Sequence, residues 1–326
     1  MLGAFLALLS AATFAMNITA LRRGVLGGSV VQAIAVTNAL GVPLLALICL
    51  VFGAFGEFAD ISIAAIAWFA SAGIVHFVIG RYANYRATRA LGATQSGPIQ
   101  QVGLLISLTL ALMFLGESLT PLRAFGIFLI LLGPALILRQ RAKQGEVTTR
   151  SGIRLNYFEG YFWGLVCAAC FGTSPLLITY GLEDGGLLRG IAGGLVSYCA
   201  AASVVLLLMV FPSFRSDVLS VSRSSVKWFS ATGLFVGLSQ LFVFMALSIA
   251  PVSVVQPIQR TTLMFRVAFS WVINRDHEVF GLAILIAIGL SMLGVLAVTI
   301  SSEALLDLIP LPDWIADFAR IEWPAD

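Results

Sequence analysis

Apolar stretches of about 18–22 residues, each long enough to cross a bilayer, recur along this chain with only short breaks. They lie at roughly 2–20, 30–52, 63–86, 93–114, 120–138, 158–180, 190–211, 227–248, 252–273 and 279–300. A chain patterned in this way has few folds open to it. In lipid every backbone N–H and C=O must find its partner inside the protein, and a helix does so within one segment. The expected fold class is an all-α integral membrane protein with ten transmembrane helices. Hydrophobic residues make up 59% of the sequence and charged residues only 11%, against roughly 25% charged in soluble domains. No soluble fold of 326 residues covers that much apolar surface. Arg22-Arg23 follow the first apolar run rather than precede it, so that run is expected to be a retained helix and not a cleaved signal.

Several function classes are disfavoured. Nucleic-acid binding needs a basic, solvated face, and none is visible. Cys49, Cys167, Cys170 and Cys199 all fall within apolar runs. The Cys167-Ala-Ala-Cys170 pair has no polar neighbours and no second pair, so it reads as helix packing and not as a redox or metal site. Intramembrane catalysis needs paired acids, a metal set or an activated nucleophile. Two histidines, no HExxH and no acid within a span supply none of these. No enzyme activity, metal or cofactor is expected.

The longest polar break, 139–157, holds Arg139, Arg141, Lys143, Arg150 and Arg154 and divides the chain five segments to five. This predicts a first repeat at 1–138, a basic link at 139–157, a second repeat at 158–300 and a tail at 301–326. The halves align. Gly3, Phe5, Leu8, Ala11, Ala12 and Phe14 match Gly160, Phe162, Leu165, Ala168, Ala169 and Phe171 at an offset of 157 (160 − 3). Trp68-Phe69 and Gly73 match Trp228-Phe229 and Gly233 at 160 (228 − 68). Pro98-Ile99-Gln100 matches Pro257-Ile258-Gln259 at 159 (257 − 98), which also pairs Glu117 with Asp276. An odd number of spans per repeat inserts the halves in opposite orientations. That is the inverted-repeat plan of many secondary transporters, with substrate near the midplane between the halves.

These features resemble the drug/metabolite transporter superfamily, EamA type. The resemblance rests on two five-helix repeats, on Leu91-Gly92-Ala93-Thr94 opening the fourth span, and on Leu115-Gly116-Glu117-Ser118-Leu119-Thr120-Pro121 before a Gly-containing fifth. In the second repeat the Gly-Glu-x-Leu-Thr-Pro junction has decayed to Asn274-Arg275-Asp276-His277-Glu278. The resemblance implies a multi-pass transporter of the bacterial inner membrane, monomeric or homodimeric, acting on a small-molecule substrate and surrounded by lipid. It leaves the cargo open. A non-transporting membrane scaffold or receptor is the alternative, and an intramembrane enzyme a weaker one. The tail, with Trp314, Phe318 and Trp323 among acids, lies beyond it and reads as an interfacial amphipathic segment.

Orientation gives two conflicting signals. Thirteen basic residues fall in the odd-numbered loops and only Arg123, Arg189 and Arg320 in the others. The positive-inside bias then puts both termini outside, whereas the resemblance implies cytoplasmic termini.

Polar residues inside spans mark the candidate substrate site. At 100° per residue, Gln256, Gln259, Arg260 and Arg266 share one arc, and Ser96, Gln100, Gly103 and Ser107 share a narrower one; both stripes are expected to face a central cavity. Gln101 neighbours the second stripe. His76 is expected on a face with Gly73, Gly80 and Asn84, and the repeat pairs Arg81 with Gln240 and Asn17 with Ser174. Asn38 and Tyr198 complete the candidate substrate-binding set. With no acid inside a span, arginines in the ninth segment favour a cargo carrying a carboxylate or phosphate. Removing either arginine is expected to leave folding unharmed, because a desolvation cost is relieved.

Overall fold

The computed structural model describes residues 1–100, 102–117, 119–142, 155–183 and 185–274, with isolated positions from 286 to 297. The readings of Gln101, most of the 139–157 link, nearly all of the tenth segment and the 301–326 tail lie outside the described residues.

Every regular element among the described residues is helical. The first half contains α1 (Leu2–Gly27), α2 (Val30–Phe52), α3 (Ile63–Gly73), α4 (Arg81–Leu91), α5 (Ala93–Gln100), α6 (Val102–Phe114) and α7 (Pro121–Ala142). The second contains α8 (Tyr157–Leu182), α9 (Leu187–Leu208), α10 (Pro212–Leu219), α11 (Arg223–Leu247), α12 (Val252–Gln259) and α13 (Thr262–Ile273). Short polar residues set the starts. Ser29 and Gln32 form a reciprocal capping box on α2, and Ser62, Asn156 and Ser222 each accept a backbone N–H at their own helix N-termini. Six helical spans among the described residues are long and apolar enough to cross a membrane. The chain is an integral, multi-pass membrane protein.

Two spans depart from a plain α-helix among the described residues. The π-helical stretch Ile74–Gly80 joins α3 to α4, giving one continuous rod, Ile63–Leu91. The ninth apolar segment, expected as one helix, is divided into α12 and α13; the fourth is described as α5 and α6 on either side of residue 101, which lies outside the described residues. In the ninth, Pro257 lacks the N–H that would continue the ladder. The chain then tightens, with Arg260 N donating to Pro257 O and Thr261 N to Ile258 O, both at 3.0 Å.

Helices of one half pack on helices of the other. Gly160 and Gly181, near the two ends of α8, lie against Leu91 and Phe69, so α8 runs antiparallel to the α3–α4 rod. Gly3 and Gly24 of α1 lie against Ala250 and Phe229, so α1 runs antiparallel to α11. α2 meets α9, and the fourth and ninth segments meet as α6 with α12 and α5 with α13. First spans therefore pair with third spans, second with second and fourth with fourth, the pattern of a two-fold exchange between the halves. The closest approach is at Gly73, where a Cβ would stand 2.1 Å from Ser197 O. Ser197 Oγ returns a 2.6 Å hydrogen bond to Phe69 O. Leu47, Leu50, Phe162, Leu206 and Leu207 are exposed on the outer surface, where lipid tails would meet them, while serines, asparagines and glycines lie inside. The ion pairs among the described residues, Arg86–Glu159 and Arg189 with Glu57 and Glu183, sit near helix ends.

Candidate functional site

A cavity of about 60 Å³ opens where the fourth segment of the first half meets the broken ninth segment. These two segments supply its polar wall. Gln100 comes from the end of α5, Gln256 and Gln259 from α12, and Arg260 and Arg266 from the break and α13. The wall is held by hydrogen bonds within and across the halves. Arg260 Nη1 donates to Gln100 O at 3.2 Å, and its Nη2 to Gln256 Oε1 at 3.0 Å. Gln100 Nε2 donates to Asn84 Oδ1 at 2.8 Å. Gln259 Nε2 donates to Ser10 Oγ at 2.6 Å, and Ser10 Oγ donates to Ser239 O at 2.8 Å.

The opposite wall is aromatic. The His76 ring lies flat on Phe171, with centroids 4.0 Å apart and planes 8° from parallel, and Phe14 meets Phe171 edge-on at 6.0 Å. Phe14 and Phe171 are equivalent positions of the two repeats. Gln240 Nε2 stands 3.3 Å from His76 Nε2. Three buried polar atoms on this lining, Ser174 Oγ, Gln240 Oε1 and His76 Nδ1, have no hydrogen-bond partner among the described residues. Buried polar groups normally have partners, and these three are at the cavity without one among the described residues.

Eight of the candidate residues line the cavity: His76, Gln100, Ser174, Gln240, Gln256, Gln259, Arg260 and Arg266. Asn17, Asn38, Arg81 and Tyr198 do not. The repeat pairing of Arg81 with Gln240 therefore fails at the level of the site. The reason is the π-helical stretch, whose i→i+5 bonding shifts the register ahead of Arg81, whereas α11 is α-helical around Gln240. The same shift divides the face expected for His76. Gly80 and His76 meet Phe171 of α8, Gly73 meets the Ser197 backbone of α9, and Asn84 bonds Gln100.

The narrower stripe is also corrected. Only Gln100 of that set reaches the cavity. A Cβ on Gly103 would lie 2.7 Å from Ala168 O, and Ser107 Oγ bonds Leu104 O of its own helix. This is a helix–helix seam of small residues. Arg266 likewise serves as more than lining. It is 2% exposed, and donates to Ala93 O at 3.2 Å and to Gln100 Oε1 at 3.3 Å, tying α13 to both ends of α5.

In the sequence Glu117 stands as the repeat partner of Asp276 and as part of the Leu115–Pro121 junction. Its two carboxylate oxygens accept from Val252 N and Ser253 N, each at 2.7 Å, so a first-half residue caps the first turn of α12. A carboxylate at a helix N-terminus is favoured by the exposed N–H groups and by the helix dipole. Glu117→Gln is expected to lose the charge and one of the two bonds, lowering stability by about 1–2 kcal/mol. An unchanged melting temperature for that variant in detergent would show that the cap contributes nothing.

The model of the EamA-like transporter family matches residues 1–139 and 158–300 of this chain. A search of curated proteins finds no match. Among solved structures, one crystal structure of a protein 17% identical to this chain superposes with a TM-score of 0.63, covering 91% of this chain and 96% of the other. At that identity the likeness is one of fold.

Proposed function

Because the chain belongs to the EamA-like transporter family, we propose that it carries a small polar metabolite bearing a carboxylate or phosphate, an amino acid included, by alternating access between two inverted five-helix halves. The halves correspond to residues 1–138 and 158–300, and the membrane is the bacterial inner membrane. The carrying observation is the cavity between the fourth and ninth segments. Glutamines from both halves and the Arg260 guanidinium face Ser174, Gln240 and His76 atoms that have no hydrogen-bond partner among the described residues. Discontinuous helices often form the binding site of inverted-repeat carriers, and the break between α12 and α13 adjoins this cavity. Arg260 supplies a permanent positive charge for an acidic group, and the Phe14–Phe171–His76 wall supplies an apolar face for the rest of the cargo. About 60 Å³ has room for only a few waters, so the halves must part to admit a metabolite.

Counterflow in proteoliposomes tests this reading. Trans-loaded anionic metabolites or amino acids should accelerate uptake, and organic cations should not. Folded protein giving no flux with any cargo would favour the scaffold or receptor reading. Collapsing the pH gradient should leave exchange largely intact, because no acid lines the cavity among the described residues. Loss of exchange in that test, with His76→Gln still active, would place proton coupling on another group, with Glu117 the first to examine. The charge bias of the loops further predicts that a reporter fused after Asp326 reads as extracytoplasmic; a bright cytoplasmic fluorescent fusion would overturn that orientation.

A further inference from the structure

The two faces of the bundle are not closed alike. At the face of the odd-numbered loops, consecutive arginines near the end of α1 reach two different helices. Arg22 Nη1 donates to Thr88 O at 3.3 Å and to Arg89 O at 3.0 Å, in the last turn of α4. Arg23 Nε and Nη2 both donate to Ile273 O, at the last residue of α13, at 3.2 and 2.6 Å. Asn274 Nδ2 adds a buried bond to Thr19 O at 2.9 Å. Guanidinium groups suit helix C-termini, where carbonyls lack helical partners and the dipole is negative. α4 belongs to the first half and α13 to the second, so α1 fastens both at this face.

The face of the even-numbered loops has the equivalent positions without the arginines. At the offset of 157, Arg22 and Arg23 correspond to Thr179 and Tyr180 of α8 (179 − 22, 180 − 23). Tyr180 Oη donates to Phe114 O at 3.1 Å, and Phe114 is the equivalent of Ile273 at 159 (273 − 114). That bond repeats the one made by Arg23, but with a neutral donor. Arg22 is not matched in this way. Thr179 Oγ1 is buried and makes no hydrogen bond among the described residues. The end of α11, the counterpart of the end of α4, stands across a vestibule of about 290 Å³ lined by Thr179, Glu117 and residues 247–252. Threonine is too short to cross a gap that arginine spans. Leu247 lines both the vestibule and the cargo cavity, and Ile178, next to Thr179, lines the cavity.

We propose that Arg22 and Arg23 are a latch that seals the cavity at the odd-loop face, and that cargo enters and leaves this state through the vestibule, past Leu247 and Ile178. This deepens the carrier reading and rests on it only in taking the cavity as the place of the cargo. Exchange of the two arrangements between the halves gives the opposite state. There Thr179 closes on the end of α11 while the arginines leave the carbonyls of α4 and α13. The charge-assisted bonds of the latch hold the resting population in the state open to the even-loop face.

Thiol labelling from each face tests this. Ser174 lines the cavity. Ser174→Cys in the full chain is treated with a membrane-impermeant anionic methanethiosulfonate in right-side-out and inside-out vesicles, and modification is read by mass on the peptide that carries it. Gly56→Cys and Ser213→Cys, exposed in an even and an odd loop, report which face each preparation presents, whichever of them is cytoplasmic. Ser174→Cys should react about tenfold faster, or more, in the preparation that labels Gly56→Cys. Adding Arg22→Thr with Arg23→Tyr, which copies the even-loop face, should raise labelling from the odd-loop face about tenfold. Thr179→Arg extends into the vestibule and should lower labelling from the even-loop face by a similar factor; it decides the matter if the double variant does not fold. Equal rates from the two faces, faster reaction from the odd-loop face, or no reaction from either would overturn the proposal. Labelling unmoved by Thr179→Arg would overturn it too. Sidedness as expected, without counterflow of any cargo, would refute the carrier reading and leave the latch standing. Counterflow without sidedness would do the reverse.

Discussion

Gly73→Ala is expected to give little or no monodisperse protein, the largest effect of any single methyl group considered for this chain. The added Cβ would sit 2.1 Å from Ser197 O and 2.7 Å from the Ser197 Cα and carbonyl carbon. These are backbone atoms of α9, with no rotamer that moves them away. The two helices must separate, and the 2.6 Å bond from Ser197 Oγ to Phe69 O is lost with them. Overpacking typically costs about 1–3 kcal/mol, and a clash with rigid backbone belongs at or above the top of that range. Gly56→Ala is the control, because nothing lies within 4 Å of that position. Size-exclusion profiles of fluorescent fusions compare the two directly. Equal yield and melting would mean that the α3–α9 contact is looser than described.

The second large effect separates two arginines that the sequence groups together. Arg260→Ala should weaken binding of an anionic cargo about ten- to a hundredfold, the loss of one charge-assisted contact of roughly 1.5–3 kcal/mol. Its fold should survive, since Arg260 is half-buried at a break that its backbone N–H already tightens. Arg266→Ala should instead act on stability, by a similar roughly 1.5–3 kcal/mol. Its guanidinium joins α13 to Ala93 O and Gln100 Oε1. Arg260→Lys, which keeps the charge, should recover part of the affinity. Calorimetric or fluorescence titration together with thermal unfolding separates the outcomes, and cargo affinity untouched by Arg260→Ala would remove that residue from the site.

The contrast shows what the sequence can convey. A duplicated Pro-Ile-Gln core, repeated offsets and a helical wheel suffice to bring Gln100, Gln256, Gln259, Arg260 and Arg266 to one place, because period and symmetry are properties of the string. The wheel fails where helical geometry changes. The π-helical stretch at 74–80 carries His76 to the cavity wall and leaves Arg81 off it, and no residue in Ile-Val-His-Phe-Val-Ile-Gly announces it. Ser96, Gly103 and Ser107 illustrate a different ambiguity. Small and weakly polar residues suit a wet surface and a close helix seam equally, and only the neighbour, here Ala168 of α8, decides. Glu117 was hidden for a third reason. Its partners are backbone N–H groups of α12, and those have no letter in the sequence.

The pairing of first spans with third spans of the other half also governs how the protein is made. Ser10 of α1 finds Ser239 of α11 229 residues later. At ribosomal speeds of about 5–20 residues per second, that wait is roughly 10–45 s. Throughout it, α1 stands in the bilayer with Ser10 lacking its partner, while Arg81 of the α3–α4 rod waits 117 residues for Tyr198 of α9. The newborn first half is thus a guest of the insertion machinery until its twin arrives, and the two halves mature together or not at all.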